Sequence, residues 1–141
     1  MRYLAPYRLA TYLLLFFAFA HTAGGLFGER EGSAAAEAVF TAMKTVKFTM
    51  MGATCSWYGF WLGFGLMVTV FLLFAAAVTW QLAAMTRAQR RPLRFMTWAL
   101  LVSFAATAGL SWAYFFAAPG ITSTLVTILV GVENVRDARA A

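Results

Sequence analysis

Charge is what this chain has least of. Five acidic and eleven basic residues make up only 11% of the 141 positions. That is too few to cover the surface of a water-soluble domain. There is one cysteine, Cys55, so no internal disulfide can form and pairing says nothing about redox compartment. One histidine, His21, and no cluster of spaced carboxylates or thiols leave no metal site to expect. The sequence also lacks a phosphate-cradling glycine loop, a paired carboxylate and a nucleophile–base pattern. The three prolines, Pro6, Pro92 and Pro119, sit at the edges of apolar runs, where they leave long helices intact.

What the chain does have is apolar length. Hydrophobic residues make up 62% of it, in runs at Leu9–Leu26, Tyr58–Leu82, Phe95–Ala118 and Ile121–Val132. A bilayer core of about 30 Å takes about 20 apolar residues per helix. The reading is an all-α, polytopic membrane four-helix bundle in a single domain, 1–141. Its spans are expected at about 7–27, 57–82, 95–118 and 120–135. Arg2, Arg8 and the stretch Leu9–Phe19 resemble a signal peptide, with Ala18-Phe19-Ala20 at the cleavage position. The apolar run continues to Phe27, however, which favours a retained spanning helix.

Between the first two spans, Ser33 is a plausible helix N-cap. Ala36, Val39, Phe40, Met43, Val46 and Met50 then recur at helical spacing. Glu37, Lys44 and Lys47 make this segment too charged to span, so an additional amphipathic interfacial helix is expected at about 33–51. Gly52 is read as its end, and Pro119-Gly120 as a turn between the third and fourth spans.

The net charge of +6 would suggest nucleic acid in a soluble protein. Here the basic residues flank apolar runs, so no nucleic-acid partner is expected and the charge reports topology. With four spans, Arg2, Arg8, Arg87, Arg90, Arg91, Arg94, Arg136 and Arg139 fall on one side, and Arg30, Lys44 and Lys47 on the other. That bias predicts both termini in the cytoplasm. Tyr58 and Trp61, Trp80, Trp98, and Trp112 with Tyr114 lie near span ends, in agreement with the charges. Arg87, Arg90, Arg91 and Arg94 are candidates for lipid headgroups, with membrane lipids as partners.

His21 lies about 9 Å below the end of its span at 1.5 Å per residue, level with Gly63, Ser111 and Thr124. An intramembrane ionisable group is costly and therefore a functional candidate. Three readings stay open for it. It is a neutral ring bonded to Ser111 or a backbone carbonyl, a proton-transfer or headgroup-recognition group, or a single haem ligand. No cofactor is required by the sequence; haem and quinone are the ones it would accommodate.

Ser103, Thr107, Ser111 and Tyr114 share one helical face, as do Thr124, Thr127, Gly131 and Asn134, and Thr11 and Thr22 add polar points on the first span. Such stripes serve helix packing or line a ligand cavity. Gly24 with Gly28, and Gly59 with Gly63, have the GxxxG spacing of close helix approach, within the chain or in self-association. Glu133 is expected to pair with Arg136 or with an arginine of the Arg87–Arg94 stretch. Cys55 is read as a structural thiol on the outer side.

Three stretches carry a resemblance: His21-Thr22-Ala23-Gly24; Met51-Gly52 with Gly63-Phe64-Gly65-Leu66 and Trp80-Gln81-Leu82; and Tyr114-Phe115-Phe116 before Pro119. In this order they resemble a family of uncharacterised small bacterial four-helix integral membrane proteins, which implies the bacterial inner membrane. Members of that family carry a basic residue near Cys55 and an acidic one near Gly59, where this chain has uncharged residues. Activity that depends on those charges would be absent here. The expected role is a non-catalytic accessory subunit of a larger membrane complex or a lipid binder. The alternatives are an enzyme or binder for an apolar ligand such as a quinone, using His21, Gly63, Ser111, Tyr114 and Thr124, and then a small transporter.

Overall fold

The computed structural model describes residues 5–28 and 32–139. Arg2 and Arg30 lie outside them. The chain is mostly helical. Four helical stretches, Pro6–Leu26, Trp57–Ala84, Arg87–Tyr114 and Ala117–Arg139, are long and apolar enough to cross a membrane.

Helix α1 spans Pro6–Ala20, with Pro6 in its first turn, where a missing N–H costs nothing. It runs on into a π-helical turn, His21–Leu26, in which the Phe27 amide donates to the Thr22 carbonyl at 3.1 Å, five residues back. Gly24 and Gly25 lie in that widened turn. Helix α2 spans Ala34–Thr45, and Ser33 caps it by accepting from the Ala36 amide at 3.4 Å.

The helix expected over 33–51 therefore stops at Thr45. The chain turns extended at Val46 and forms an antiparallel hairpin, β1 (Lys47–Met50) with β2 (Ala53–Ser56), in the register Phe48↔Cys55. Val46, Phe48 and Met50 carry a period of two that competes with the helical spacing of Met43, Val46 and Met50. The strand wins because Phe48 stacks on Trp57 at 4.5 Å and meets Phe60 at 5.8 Å. Gly52 is the second residue of the hairpin turn. Met51 and Gly52 both take positive φ, 50° and 84°, as a two-residue primed turn requires. The left-handed conformation costs a non-glycine residue such as Met51 roughly 1–2 kcal/mol.

Helix α3 spans Trp57–Ala84 and is apolar on every side. A short helix α4 (Arg87–Arg90) opens on a reciprocal cap. Thr86 Oγ1 accepts from the Gln89 amide at 3.4 Å, and Gln89 Oε1 accepts from the Thr86 amide at 2.8 Å. One 3₁₀ turn, Arg91–Leu93, accommodates Pro92 and leads into α5, Arg94–Tyr114. Helix α6 spans Ala117–Arg139.

The break between α5 and α6 falls at Phe115–Phe116, four residues before the expected Pro119-Gly120 turn. Pro119 sits instead in the first turn of α6. Gly120 is buried against Trp112, whose ring would lie 2.7 Å from an added Cβ. The glycine is there to let α5 and α6 approach.

The chain divides into two compact units, one of residues 1–17 and 72–141, the other of 18–71. In the first, Leu14, Leu72, Ala75, Ala76, Phe104, Val126 and Val130 are buried. In the second, Leu26 is buried and packs on Gly65, and Phe40, Trp61, Tyr58, Phe60 and Phe64 form edge-on and tilted ring pairs.

Candidate functional site

The chemistry of the first unit concentrates on Arg90, whose residue is only 8% exposed. Its Nε donates to Asp137 Oδ2 at 2.7 Å and its Nη2 to Asp137 Oδ1 at 2.8 Å, a two-pronged pairing. Nη2 also reaches Glu133 Oε2 at 3.4 Å. Nη1 donates to the Leu82 and Met85 carbonyls at 3.2 and 2.8 Å, closing the last turn of α3. The guanidinium further lies 5.4 Å from the Tyr7 ring centre. Glu133 takes a second partner, Arg136, at 3.3 Å. Both expected partners of Glu133 are thus engaged at once.

Beside the ion cluster runs a neutral ladder. Tyr7 Oη donates to Asn134 Oδ1 at 2.9 Å, and Asn134 Nδ2 donates to the Thr97 carbonyl at 2.9 Å. One turn along α1, the Thr11 and Thr79 hydroxyls lie 2.9 Å apart. Among the described residues no buried side-chain nitrogen or oxygen lacks a partner. Polar groups from α1, α3, α5 and α6 are therefore tied together, and α4 supplies the arginine that closes the set.

A cavity of ≈380 Å³ opens against this cluster, lined by Arg87, Ala88, Arg90, Arg91, Arg94, Thr97, Trp98, Asn134, Asp137 and Ala138. The four arginines expected to meet headgroups all border it, but they are not equivalent. Arg90 is turned inward with its donors occupied by Asp137, Glu133 and the Leu82 and Met85 carbonyls. Arg87 lies 3.7 Å from Asp137 with a side chain 57% exposed. Arg91 and Arg94 are exposed, and no described carboxylate lies within ion-pair distance of either.

The His21 site belongs to the second unit. His21 Nε2 lies 3.0 Å from the Gly65 carbonyl, an acceptor, so Nε2 carries the proton. Thr22 and Thr69 share a hydroxyl contact at 2.9 Å one residue along. His21 is half-buried; Gly63 is exposed, with nothing within 4 Å of an added Cβ. A separate open cavity of ≈860 Å³ is lined by Leu26, Phe27, Ala36, Glu37, Phe40, Thr41, Lys44 and Tyr58, without His21.

Of the other candidates, Ser111 is buried, and Thr124 accepts from Trp112 Nε1 at 3.1 Å while donating to the Gly120 carbonyl at 2.7 Å. Tyr114, 78% exposed, points away from the interior of its unit and does not join Ser111 in lining a site. The GxxxG glycines meet no neighbouring helix of the described chain. Gly24 and Gly63 face open space, an added Cβ on Gly59 would meet only its own Ser56, and one on Gly28 would meet the carbonyl of Gly24. The glycines that pack closely are Gly65 and Gly120.

Sequence reasoning missed Tyr7, Thr97 and Asp137. One signal was available: Glu133 and Asp137 stand four apart on α6, a like-charge spacing that is unfavourable unless a cation bridges it. Among the described residues no three His, Cys, Asp or Glu side chains gather as metal ligands. Comparisons with protein-family models, with curated proteins and with solved structures found no match.

Arg90→Ala is expected to destabilise the chain by about 3 kcal/mol, because it takes the central cation from buried Glu133 and half-buried Asp137 and leaves each only a weaker partner, Arg136 and Arg87. Arg87→Ala, at an exposed side chain, should cost less than about 1 kcal/mol. Combining Arg90→Met with Glu133→Gln and Asp137→Asn should recover most of the loss. Thermal unfolding in detergent measures all three, and equal losses for Arg90→Ala and Arg87→Ala would contradict the arrangement.

Proposed function

We propose that the chain is a non-catalytic, multi-pass protein of the bacterial inner membrane that packs as an accessory subunit into a larger membrane assembly. Its four long helices form a membrane bundle with both termini in the cytoplasm, and α2 lies at the outer interface. One observation carries the reading. Ala105, Gly109 and Ala113, spaced by four on α5, are all exposed, with nothing within 4 Å of an added Cβ on Gly109. Exposed Gly59 and Gly63 make a similar row on α3. Lipid chains gain little from such flat rows, whereas another helix can approach closely along them.

Two features support the topology. Arg8, Arg87, Arg90, Arg91, Arg94, Arg136 and Arg139 would share the cytoplasmic side, against Lys44 and Lys47 outside. Helix α2 buries none of its residues within the chain, and Val39 stays 59% exposed. A headgroup layer would cover that apolar face.

A second reading rests on the π-helical turn at His21. Such turns are rare and often mark functional positions. The turn would present the ring to an apolar ligand with a polar head, such as a quinone, beside the small Gly63.

Three measurements test these readings. Reporter fusions at residue 141 and near residue 32 should report opposite sides of the membrane; the same side for both removes the four-span topology. Tagged protein purified from native membranes after cross-linking should carry a partner subunit, and Gly109→Leu should reduce its recovery about tenfold while leaving thermal stability near wild type. Undiminished recovery counts against the α5 row, and recovery of a second copy alone would make the assembly a homo-oligomer. For the second reading, His21→Gln should abolish retention of a co-purifying apolar ligand with stability unchanged. Retention at the wild-type level would leave His21 a packing residue.

A further inference from the structure

We propose that the cavity between α4, α5 and α6 binds the phosphate of an anionic membrane phospholipid, with Arg91 and Arg94 as the binding residues and Arg90 as their fixed floor. Four arginines and a single carboxylate, Asp137, border the ≈380 Å³ space. That carboxylate is fully engaged, both its oxygens being taken by Arg90 at 2.7 and 2.8 Å. The floor is therefore satisfied before any ligand arrives, and the positive charge of the rim is left over. Arg87, Arg91 and Arg94 recur at intervals of four and three, so like charges crowd one wall. An anion set among them relieves that repulsion. The planar guanidinium fork matches phosphate oxygens two at a time.

A soluble phosphate would make use of the arginines alone, but the cavity offers more. Trp98 belongs to its lining, four residues beyond Arg94. The same part of α5 continues with Phe95, 89% exposed, and Val102, 65% exposed. A phosphate held by Arg91 and Arg94 would have its acyl chains run along this apolar strip, with Trp98 at headgroup level, where tryptophan is enriched. The charge also selects among headgroups. A quaternary ammonium tethered to the same phosphate is repelled by the nearby arginines, whereas an uncharged glycerol headgroup meets no such penalty.

This inference shares with the proposed function only its membrane setting; no partner subunit is needed. The detergent-solubilised full chain, mixed with dioleoyl phosphatidylglycerol or dioleoyl phosphatidylcholine, is read by native mass spectrometry. One phosphatidylglycerol per chain should be retained, about tenfold in preference to phosphatidylcholine. Arg91→Gln with Arg94→Gln should erase that preference, and the thermal midpoint should hold because both side chains are exposed. Arg139→Gln, exposed and outside the cavity lining, should keep the preference. Trp98→Ala should weaken retention of both lipids. Equal retention of the two lipids by the wild type, or an undiminished preference in the double variant, overturns the proposal. Displacement of the lipid by equimolar glycerol phosphate overturns the lipid assignment in favour of a soluble phosphate. Failure here with membrane insertion and partner recovery intact leaves the accessory-subunit reading standing.

Discussion

A guanidinium buried at the end of apolar helices has to be neutralised and hydrogen-bonded completely, and this requirement organises the first unit. Arg90 meets it with both oxygens of Asp137, one of Glu133 and two carbonyls at the end of α3. Leaving the buried guanidinium without these acceptors would cost several kcal/mol, so the acceptors gather around it. That fixes the last turn of α6 against the end of α3. Once α6 is so placed, Asn134 is aimed at Tyr7 and at the Thr97 carbonyl, which ties in α1 and α5. The neutral ladder and the ion cluster thus depend on one another, and removing the arginine would disturb both.

The second unit is held differently. Among the described residues its order comes from aromatic pairs, from the hairpin ladder and from hydroxyl contacts such as Thr22 with Thr69. The π-helical turn at His21 widens the helix where Gly24 and Gly25 remove side-chain bulk, and the Gly65 carbonyl receives the ring. Leu26 fits over Gly65 on the same stretch of α3. This is packing by shape, and shape leaves surfaces open. Gly59 and Gly63 on α3, and Gly109 on α5 in the first unit, are left exposed. Charge has a parallel division of labour. The inward arginine has every donor engaged, whereas exposed Arg91 and Arg94 have no described carboxylate within ion-pair distance.

Much of this was legible from residues alone. Apolar run length gave the four long helices, because spanning length and composition are properties of local sequence. Ser33 was readable as a cap because capping is local hydrogen-bond chemistry. The hairpin was not legible: Val46, Phe48 and Met50 fit a period of two while Met43, Val46 and Met50 fit a helix, and only Phe48 meeting Trp57 and Phe60 decides between them. Pro119-Gly120 misled for a related reason. A proline is tolerated both in a turn and in a helix's first turn, and the position of Trp112 settles which.

The sequence by itself determined a helical, charge-poor chain with four segments long enough for a membrane, because backbone groups in an apolar medium must bond locally. It also placed the arginines at the ends of those segments. Only the tertiary structure decided which arginine is buried, which glycines touch a neighbour and which polar side chains meet. Pairs such as Arg90 with Asp137, or Tyr7 with Asn134, join residues 47 and 127 positions apart. No local pattern specifies such a pair, because its free energy exists only once the chain has been folded to bring the two ends together.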